Sequence, residues 1–73
     1  MPSNPKPQSG QIWRFYDSEY PGGFADFRLA AYRPNEWLAE MIDPDLHRRY
    51  CGSSGFCYIP RGDFSTEKME FLP

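Results

Sequence analysis

The alternation of apolar and polar residues along the chain predicts a small antiparallel sheet. In residues 11–16 (QIWRFY), Trp13 and Phe15 fall on one side of an extended strand, and we expect that side to face the core. Residues 26–33 (DFRLAAYR) alternate in the same way, as a half-buried strand does. The residues expected on the core side of this second strand are Phe27, Leu29 and Ala31.

The segment between these two strands has the chemistry of a turn. Residues 17–23 (DSEYPGG) contain Pro21, whose ring fixes φ, and two glycines that can adopt positive φ. The chain is therefore expected to reverse here, in a long loop that carries Tyr20 at its tip.

Residues 36–42 (EWLAEMI) fit either a strand or a helix. Their apolar side chains can share one helical face, and the interior of the segment contains good helix formers, but alternate residues also share one strand face. Pro34 and Asn35, which separate this segment from the preceding strand, are typical of a hairpin turn. We favour a strand that completes a three-stranded meander.

Residues 43–50 (DPDLHRRY) predict one or two helical turns. Asp43 can cap the helix, Pro44 suits the first helical position, acidic residues come early and basic residues late, and Gly52 can end the helix.

The C-terminal part predicts a last strand and a terminal helical turn. The short apolar run 56–59 (FCYI) fits a strand that ends in a turn at residues 60–63 (PRGD). After it, Ser65 can cap a helical turn in which Phe64 and Met69 form a hydrophobic staple.

The length of the chain and the composition of its first ten residues limit the architecture. A chain of 73 residues makes one domain with a small core. Residues 1–10 (MPSNPKPQSG) hold three prolines and, after Met1, no large apolar side chain, so we expect a flexible arm followed by a single domain at 11–73. The predicted fold is a small mainly-β (α+β) domain with a short antiparallel sheet, possibly SH3-like, one or two short helical turns and a disordered N-terminal arm.

The chain shows no targeting signal and no membrane-spanning segment. It lacks the apolar run of a signal peptide, and no stretch approaches the roughly 20 apolar residues needed to cross a bilayer. We therefore expect a cytoplasmic protein with no membrane association.

Cys51, Cys57 and His47 leave three interpretations open. In a cytoplasm the two cysteines are expected to stay reduced and to act as small apolar side chains, although the five-residue loop between them could close as a disulfide. A metal site would need a fourth ligand and lacks the paired short cysteine spacings of structural zinc sites. His47 and Cys51, four residues apart, could also pair as base and nucleophile, but a surface histidine beside a half-buried thiol is the commoner arrangement.

The chain has no assembled catalytic motif, and we expect that it is not an enzyme and uses no cofactor. There is no glycine-rich phosphate loop and no Gly-x-Ser-x-Gly elbow. Glu36 and Glu40 would repel each other on an exposed helical face, which is typical of solvated side chains rather than of catalytic ones.

Aromatic content points to binding instead. The chain has two Trp, five Tyr and six Phe, more rings than so small a core can enclose, and Tyr, Trp and Arg dominate protein interfaces. Its net charge of −2 argues against direct binding to duplex DNA. The predicted partner-binding residues are Lys6, Tyr20, Phe24, Arg28, Arg48, Arg49 and Tyr50.

The whole chain also resembles a known family. Its length, its proline-rich start MPSNPKPQSG and the run GQIWRFYDSEYPGG resemble the small transcription regulators of lytic Xanthomonas phages, over all 73 residues. The resemblance implies a non-enzymatic protein that binds the host RNA polymerase through the N-terminal part of the β′ subunit and inhibits promoter-specific initiation by disfavouring sigma-factor retention. It also implies a role in antitermination on phage templates, and it assigns no individual binding residues.

Three hypotheses of different classes follow. The first is a regulator of bacterial RNA polymerase that acts as a monomer, by protein binding, in the cytoplasm of the infected host. The second is a small SH3-like module that binds single-stranded nucleic acid or ribosomal components, using clustered charge and stacking at Arg48, Arg49 and Tyr50. The third is a thiol-dependent or metal-dependent protein that uses His47, Cys51 and Cys57.

Overall fold

Five antiparallel strands form one sheet in the computed structural model, which describes residues 4–73. The strands are β1 (Ile12–Tyr16), β2 (Phe24–Arg33), β3 (Glu36–Met41), β4 (Cys57–Pro60) and β5 (Met69–Leu72), and their order in the sheet is β4-β3-β2-β1-β5. One helix, α1 (Pro44–Tyr50), separates β3 from β4 along the chain, and short 3-10 turns occupy Pro21–Gly23, Gly52–Ser54 and Arg61–Ser65. The prediction of a small mainly-β domain with a short antiparallel sheet is confirmed, whereas its possible SH3-like character stays a prediction.

The core lies on the face of the sheet that holds Trp13. This side chain is completely buried and packs edge-on against Phe64 and Phe71, at centroid distances of 5.1 and 5.6 Å. Its indole nitrogen donates a hydrogen bond to Gln11, so the buried polar atom is satisfied. Phe15 packs against the same cluster, which confirms the predicted core side of the first strand.

The predicted pattern of the second strand holds only as far as Leu29. Phe27 and Leu29 are buried as expected, but Ala31 is exposed, so its predicted place in the core is wrong. The reason is a bulge: Leu29 pairs with Ala39 and Ala31 pairs with Leu38, so β2 has one residue more than β3 between these pairs. Beyond the bulge, Tyr32 instead of Ala31 shares a face with Trp37, and the two ring centroids lie 5.0 Å apart.

Residues 36–41 form a strand, as we favoured over a helix. Arg33 pairs with Glu36 across a two-residue turn in which Asn35 has a φ of 78°. Asn tolerates this left-handed conformation better than most residues, which explains why Pro34 and Asn35 can reverse the chain here.

Helix α1 begins and ends close to its predicted limits. The Asp43 carboxylate accepts hydrogen bonds from the backbone nitrogens of Asp45 and Leu46, and Pro44 occupies the first turn. Gly52, with a φ of 62°, follows the helix and ends it.

The predicted helical turn after Ser65 is wrong. A 3-10 turn does form, but earlier, at Arg61–Ser65, and Met69–Leu72 is a strand that pairs with β1. The free edge of β1 explains the difference, because pairing satisfies its backbone hydrogen bonds while alternation directs Met69 towards the core. Phe64 and Met69 are both buried, as in the predicted staple, but they reach the core from a turn and a strand.

Residues 4–10 of the predicted arm lie against the sheet, while residues 1–3 lie outside the described residues. The backbone nitrogen of Gly10 donates to the Leu29 carbonyl at 2.8 Å, and a turn closes behind it where Gln11 donates to the Gln8 carbonyl at 3.2 Å. The arm therefore turns back from β2, and its first described residue, Asn4, contacts β5.

Candidate functional site

The arm and one end of the sheet enclose an open groove of about 1050 Å³, which we call the arm groove. It lies where β2 ends and β3 begins, and residues 4–9 of the arm form one of its walls. Its other lining residues are Tyr32, Trp37, Arg61, Gly62, Phe64 and Ser65.

Asn4 attaches the arm wall to the edge of the sheet. Its side-chain amide donates to the Met69 carbonyl at 3.2 Å and accepts from the Phe71 backbone nitrogen at 3.3 Å. One side chain thus occupies a donor and an acceptor of edge strand β5, as a neighbouring strand would.

The floor of the arm groove is continuous with the core. Trp37 and Phe64 are each only 7% exposed, whereas Tyr32 is 48% exposed and presents its ring to solvent. Arg61 donates to the Tyr32 hydroxyl at 3.4 Å, and its backbone nitrogen donates to the Asn35 carbonyl at 2.9 Å, which fixes the 3-10 turn beside the hairpin. A rigid apolar floor with one exposed ring is well suited to holding a side chain of a partner.

The charge of the arm groove is opposite in sign to that of the chain. Lys6 and Arg61 line it, and among residues 4–73 no Asp or Glu does, while the whole chain carries a net charge of −2. This surface is a local positive region on an acidic protein.

A second concave surface, the helix pocket, lies at the opposite end of β2 and β3. It measures about 450 Å³ and is lined by Pro21, Phe24, Ala25, Asp26, Ile42, Asp43, Pro44 and Leu46. Its lining charges are both acidic. Asp26 forms an ion pair with Arg14 at 2.8 Å, and this hydrogen-bonded pairing raises the pKa of Arg14 above its usual value.

Phe24 is the predicted binding residue that lines the helix pocket. It is 36% exposed, and the Arg14 guanidinium carbon lies 4.1 Å from its ring centroid, within cation–π distance. Part of this ring is therefore already occupied by an intramolecular partner.

Tyr20 and Tyr50, both predicted to bind a partner, pack against each other. Their rings meet edge-on at 5.3 Å, and Tyr20 also packs against Phe15 and Phe27. Burial of its ring raises the pKa of Tyr20 to about 12. Tyr20 thus closes the side of the core instead of projecting from a loop tip, whereas Tyr50 remains 39% exposed.

The predicted arginines lie outside the arm groove. Arg28 is on the outer face of the sheet, 3.5 Å from Glu40, and Arg48 is 3.6 Å from Asp45 on the surface of α1. Arg49 is exposed on the same helix. Of the seven predicted residues, only Lys6 lines the arm groove, so the structure does not bring the predicted set together in one site.

Sequence reasoning missed Arg61 and Trp37 as groove residues. The sequence predicts a turn for the segment that contains Arg61 and a strand for the segment that contains Trp37. Nothing local marks either one, because the groove forms only when the 3-10 turn after β4 meets the β2–β3 hairpin and the arm.

The two thiols lie together below the sheet surface. Cys51 is buried, both cysteines are free, and their sulfurs are 3.0 Å apart. Burial and the contact with Cys51 raise the pKa of the Cys57 thiol to about 12, so it is protonated at neutral pH, unlike an activated nucleophile. His47 is hydrogen-bonded to the Gly55 carbonyl at 3.0 Å.

Within residues 4–73, no group of three or more His, Cys, Asp and Glu side chains is arranged to hold a metal ion. In the same part of the chain, no helix is long and apolar enough to cross a membrane.

Compared with family models, curated proteins and solved structures, the chain matches none of them.

Proposed function

We propose that this protein is a phage-encoded transcription regulator that binds the RNA polymerase of its bacterial host through the N-terminal part of the β′ subunit. It inhibits promoter-specific initiation by disfavouring sigma-factor retention, acts in antitermination, and works in the host cytoplasm without a cofactor or chemistry of its own. The resemblance to small phage regulators supplies the identity of the partner.

The observation that carries a binding function is the amount of aromatic surface left outside the core. Tyr16, Tyr32 and Tyr50 are each between 39% and 48% exposed, and the arm groove adds a concave surface with Tyr32 at its rim. Exposed Tyr rings beside a concavity are typical of protein interfaces, where they bury large area at little cost in conformational entropy.

Displacement of sigma requires differential affinity. A ligand that binds core polymerase more tightly than holoenzyme shifts the equilibrium towards core and weakens sigma retention by the same factor. Equal affinity for the two forms would displace nothing, however tight the complex.

The test measures binding of the full chain to purified host core polymerase, holoenzyme and an N-terminal β′ fragment. We expect binding to the fragment, and affinity for core at least about tenfold higher than for holoenzyme. Promoter-specific transcription should fall while elongation by preformed complexes continues. No binding to the polymerase, or equal affinity for core and holoenzyme, would contradict the proposal.

A matched pair of variants controls this measurement. Tyr32 and Tyr58 are similarly exposed, at 48% and 53%, but Tyr32 lines the arm groove and Tyr58 lies on edge strand β4. If the groove contacts the polymerase, Tyr32→Ala should weaken binding and Tyr58→Ala should not.

Binding of single-stranded nucleic acid is the second candidate, favoured by one observation. Lys6 and Arg61 line the same groove as the exposed Tyr32 ring, and proteins that bind single strands combine cationic side chains with an aromatic ring on which a base stacks. Direct binding to an oligonucleotide, with affinity falling steeply as salt rises, would support this candidate over the polymerase.

A further inference from the structure

We propose that the arm groove binds a short acidic peptide segment in extended conformation, with its carboxylates held by Lys6 and Arg61. This inference deepens the proposed function by stating the chemistry of the polymerase segment, but it can be tested without the polymerase.

Charge complementarity identifies the occupant as acidic. The described lining of the arm groove contains two cations and no carboxylate, on a chain whose net charge is −2. An Arg guanidinium recognises a carboxylate through paired hydrogen bonds. Among residues 4–73, the Arg61 side chain has one hydrogen-bond acceptor, the Tyr32 hydroxyl at a long 3.4 Å. This guanidinium can therefore exchange a weak contact for a stronger one.

The backbone beside the groove favours an extended occupant. One edge of β2 is hydrogen-bonded to β1 and to the arm as far as Leu29. The last of these hydrogen bonds join Leu29 to Gly10 and Gln11. Strand β2 continues to Arg33, so residues 30–33 extend past the last of these bonds. A strand that extends beyond its neighbour has an unpaired edge, and an added peptide strand can pair with this edge. The side chains of that peptide would then enter the groove.

The same features favour a peptide over a nucleic acid. Trp37 and Phe64 are too deeply buried to offer stacking faces, which leaves Tyr32 as the exposed ring of the groove. A strand with one phosphate per nucleotide would also meet the repulsion of an acidic protein along its whole length, whereas a peptide with one or two carboxylates places its charge only at the two cations.

The experiment selects ligands for the full chain from a display library of random peptides of about ten residues. Such a peptide spans ~33 Å when extended, about the longest dimension of the domain, 34 Å. We expect enrichment of Asp and Glu among the selected sequences. A synthetic selected peptide, labelled with fluorescein, should lose about tenfold in affinity when its acidic residues are replaced by Asn and Gln.

Variants of the protein then locate the site. Arg61→Glu and Lys6→Glu should each weaken binding of the labelled peptide by about tenfold, and Arg61→Lys by less, because Lys keeps the charge but not the paired donors. Arg49→Glu is the matched control: it makes the same change of charge on an exposed arginine of α1 and should change the affinity by no more than about twofold.

These outcomes separate the inference from the proposed function. Selection without acidic enrichment, or an equal loss with Arg49→Glu, would overturn the acidic-peptide site even if the polymerase binds. So would binding of an oligothymidylate probe in preference to every selected peptide. Acidic peptides that require Arg61, in a protein that does not bind polymerase, would support the site and overturn the polymerase proposal.

Discussion

The two concave surfaces of this domain lie at opposite ends of the same pair of strands and carry opposite charge. The arm groove is lined by Lys6 and Arg61, and the helix pocket by Asp26 and Asp43. Both acids of the helix pocket are already used: Asp26 is paired with Arg14, and Asp43 caps α1. Within the part of the chain that the structure describes, neither Lys6 nor Arg61 forms an ion pair in the lining of the groove. The cations of the arm groove are therefore available to bind a ligand, whereas the two carboxylates of the helix pocket already stabilise the fold.

The two sites also differ in how they join the core. Trp37 in the floor of the arm groove is 7% exposed and belongs to the buried cluster, whereas Phe24 in the helix pocket is 36% exposed and stacks with a surface arginine. A binding surface built on core residues is preorganised, because its shape is fixed by the packing that stabilises the domain. Substitutions in the floor of the groove should therefore destabilise the domain, whereas substitutions at its exposed rim should not.

The largest expected effect is the loss of this floor. Trp37→Ala should lower the free energy of unfolding by about 3–5 kcal/mol, as removal of a buried aromatic ring does. Phe24→Ala should cost about 1 kcal/mol, since its ring is partly exposed. Urea unfolding of both variants measures the difference. Similar losses for Trp37→Ala and Phe24→Ala would show that the two sites are equally peripheral, whereas failure of Trp37→Ala to fold would itself place Trp37 in the core.

The fold was largely predictable because β1 and the first part of β2 follow simple alternation. The cap of α1 and the turn at Pro34 and Asn35 were also readable, since each depends on residues adjacent in sequence. The predictions were wrong where the local structure depends on a strand that is distant in sequence. The bulge at Ala31 depends on the register with β3, and the strand at residues 69–72 depends on the free edge of β1.

The candidate site was much less predictable, for the same physical reason. Arg48, Arg49 and Tyr50 attracted a binding prediction because they are consecutive, but on the folded chain Arg48 is paired with Asp45 and Tyr50 packs against Tyr20. Lys6 and Arg61 come together only through the path of the arm and the 3-10 turn. Which charges share a surface is a property of tertiary structure, and composition alone cannot supply it.

A smaller effect on stability is expected from the titration of Tyr20 and Cys57 at high pH. The pKa of Tyr20 is raised to about 12 from an ordinary value near 10, and that of Cys57 to about 12 from about 9. Since both groups lose their protons more easily in the unfolded chain, their stabilisation is complete below about pH 9 and is lost as pH rises towards 12. We expect Tyr20 to contribute roughly 1–2 kcal/mol of this loss, less than the full shift implies, because part of its ring is exposed.

Absorbance titration of the tyrosines, combined with urea unfolding at each pH, measures this dependence. Tyr20→Phe should remove the absorbance change near pH 12 and reduce the loss of stability at high pH. Tyr58→Phe, which alters an exposed ring, should leave both quantities unchanged. If the Tyr20→Phe substitution leaves the tyrosine absorbance change near pH 12 unaltered, Tyr20 does not close the core as described.

The smallest effect concerns the wall of the arm groove, and it tests whether the arm belongs to the site. Asn4→Ala removes both hydrogen bonds to β5 and should lower stability by only about 1 kcal/mol, because the freed backbone groups at this edge can bind water. The informative measurement is hydrogen exchange of the Phe71 amide, which donates to Asn4 and should lose protection. Ser9→Ala, in the same wall, is the control and should leave that amide protected. An unchanged Phe71 amide in the Asn4 variant would mean that the arm does not hold this position, and the groove would then have one wall fewer than the structure assigns to it.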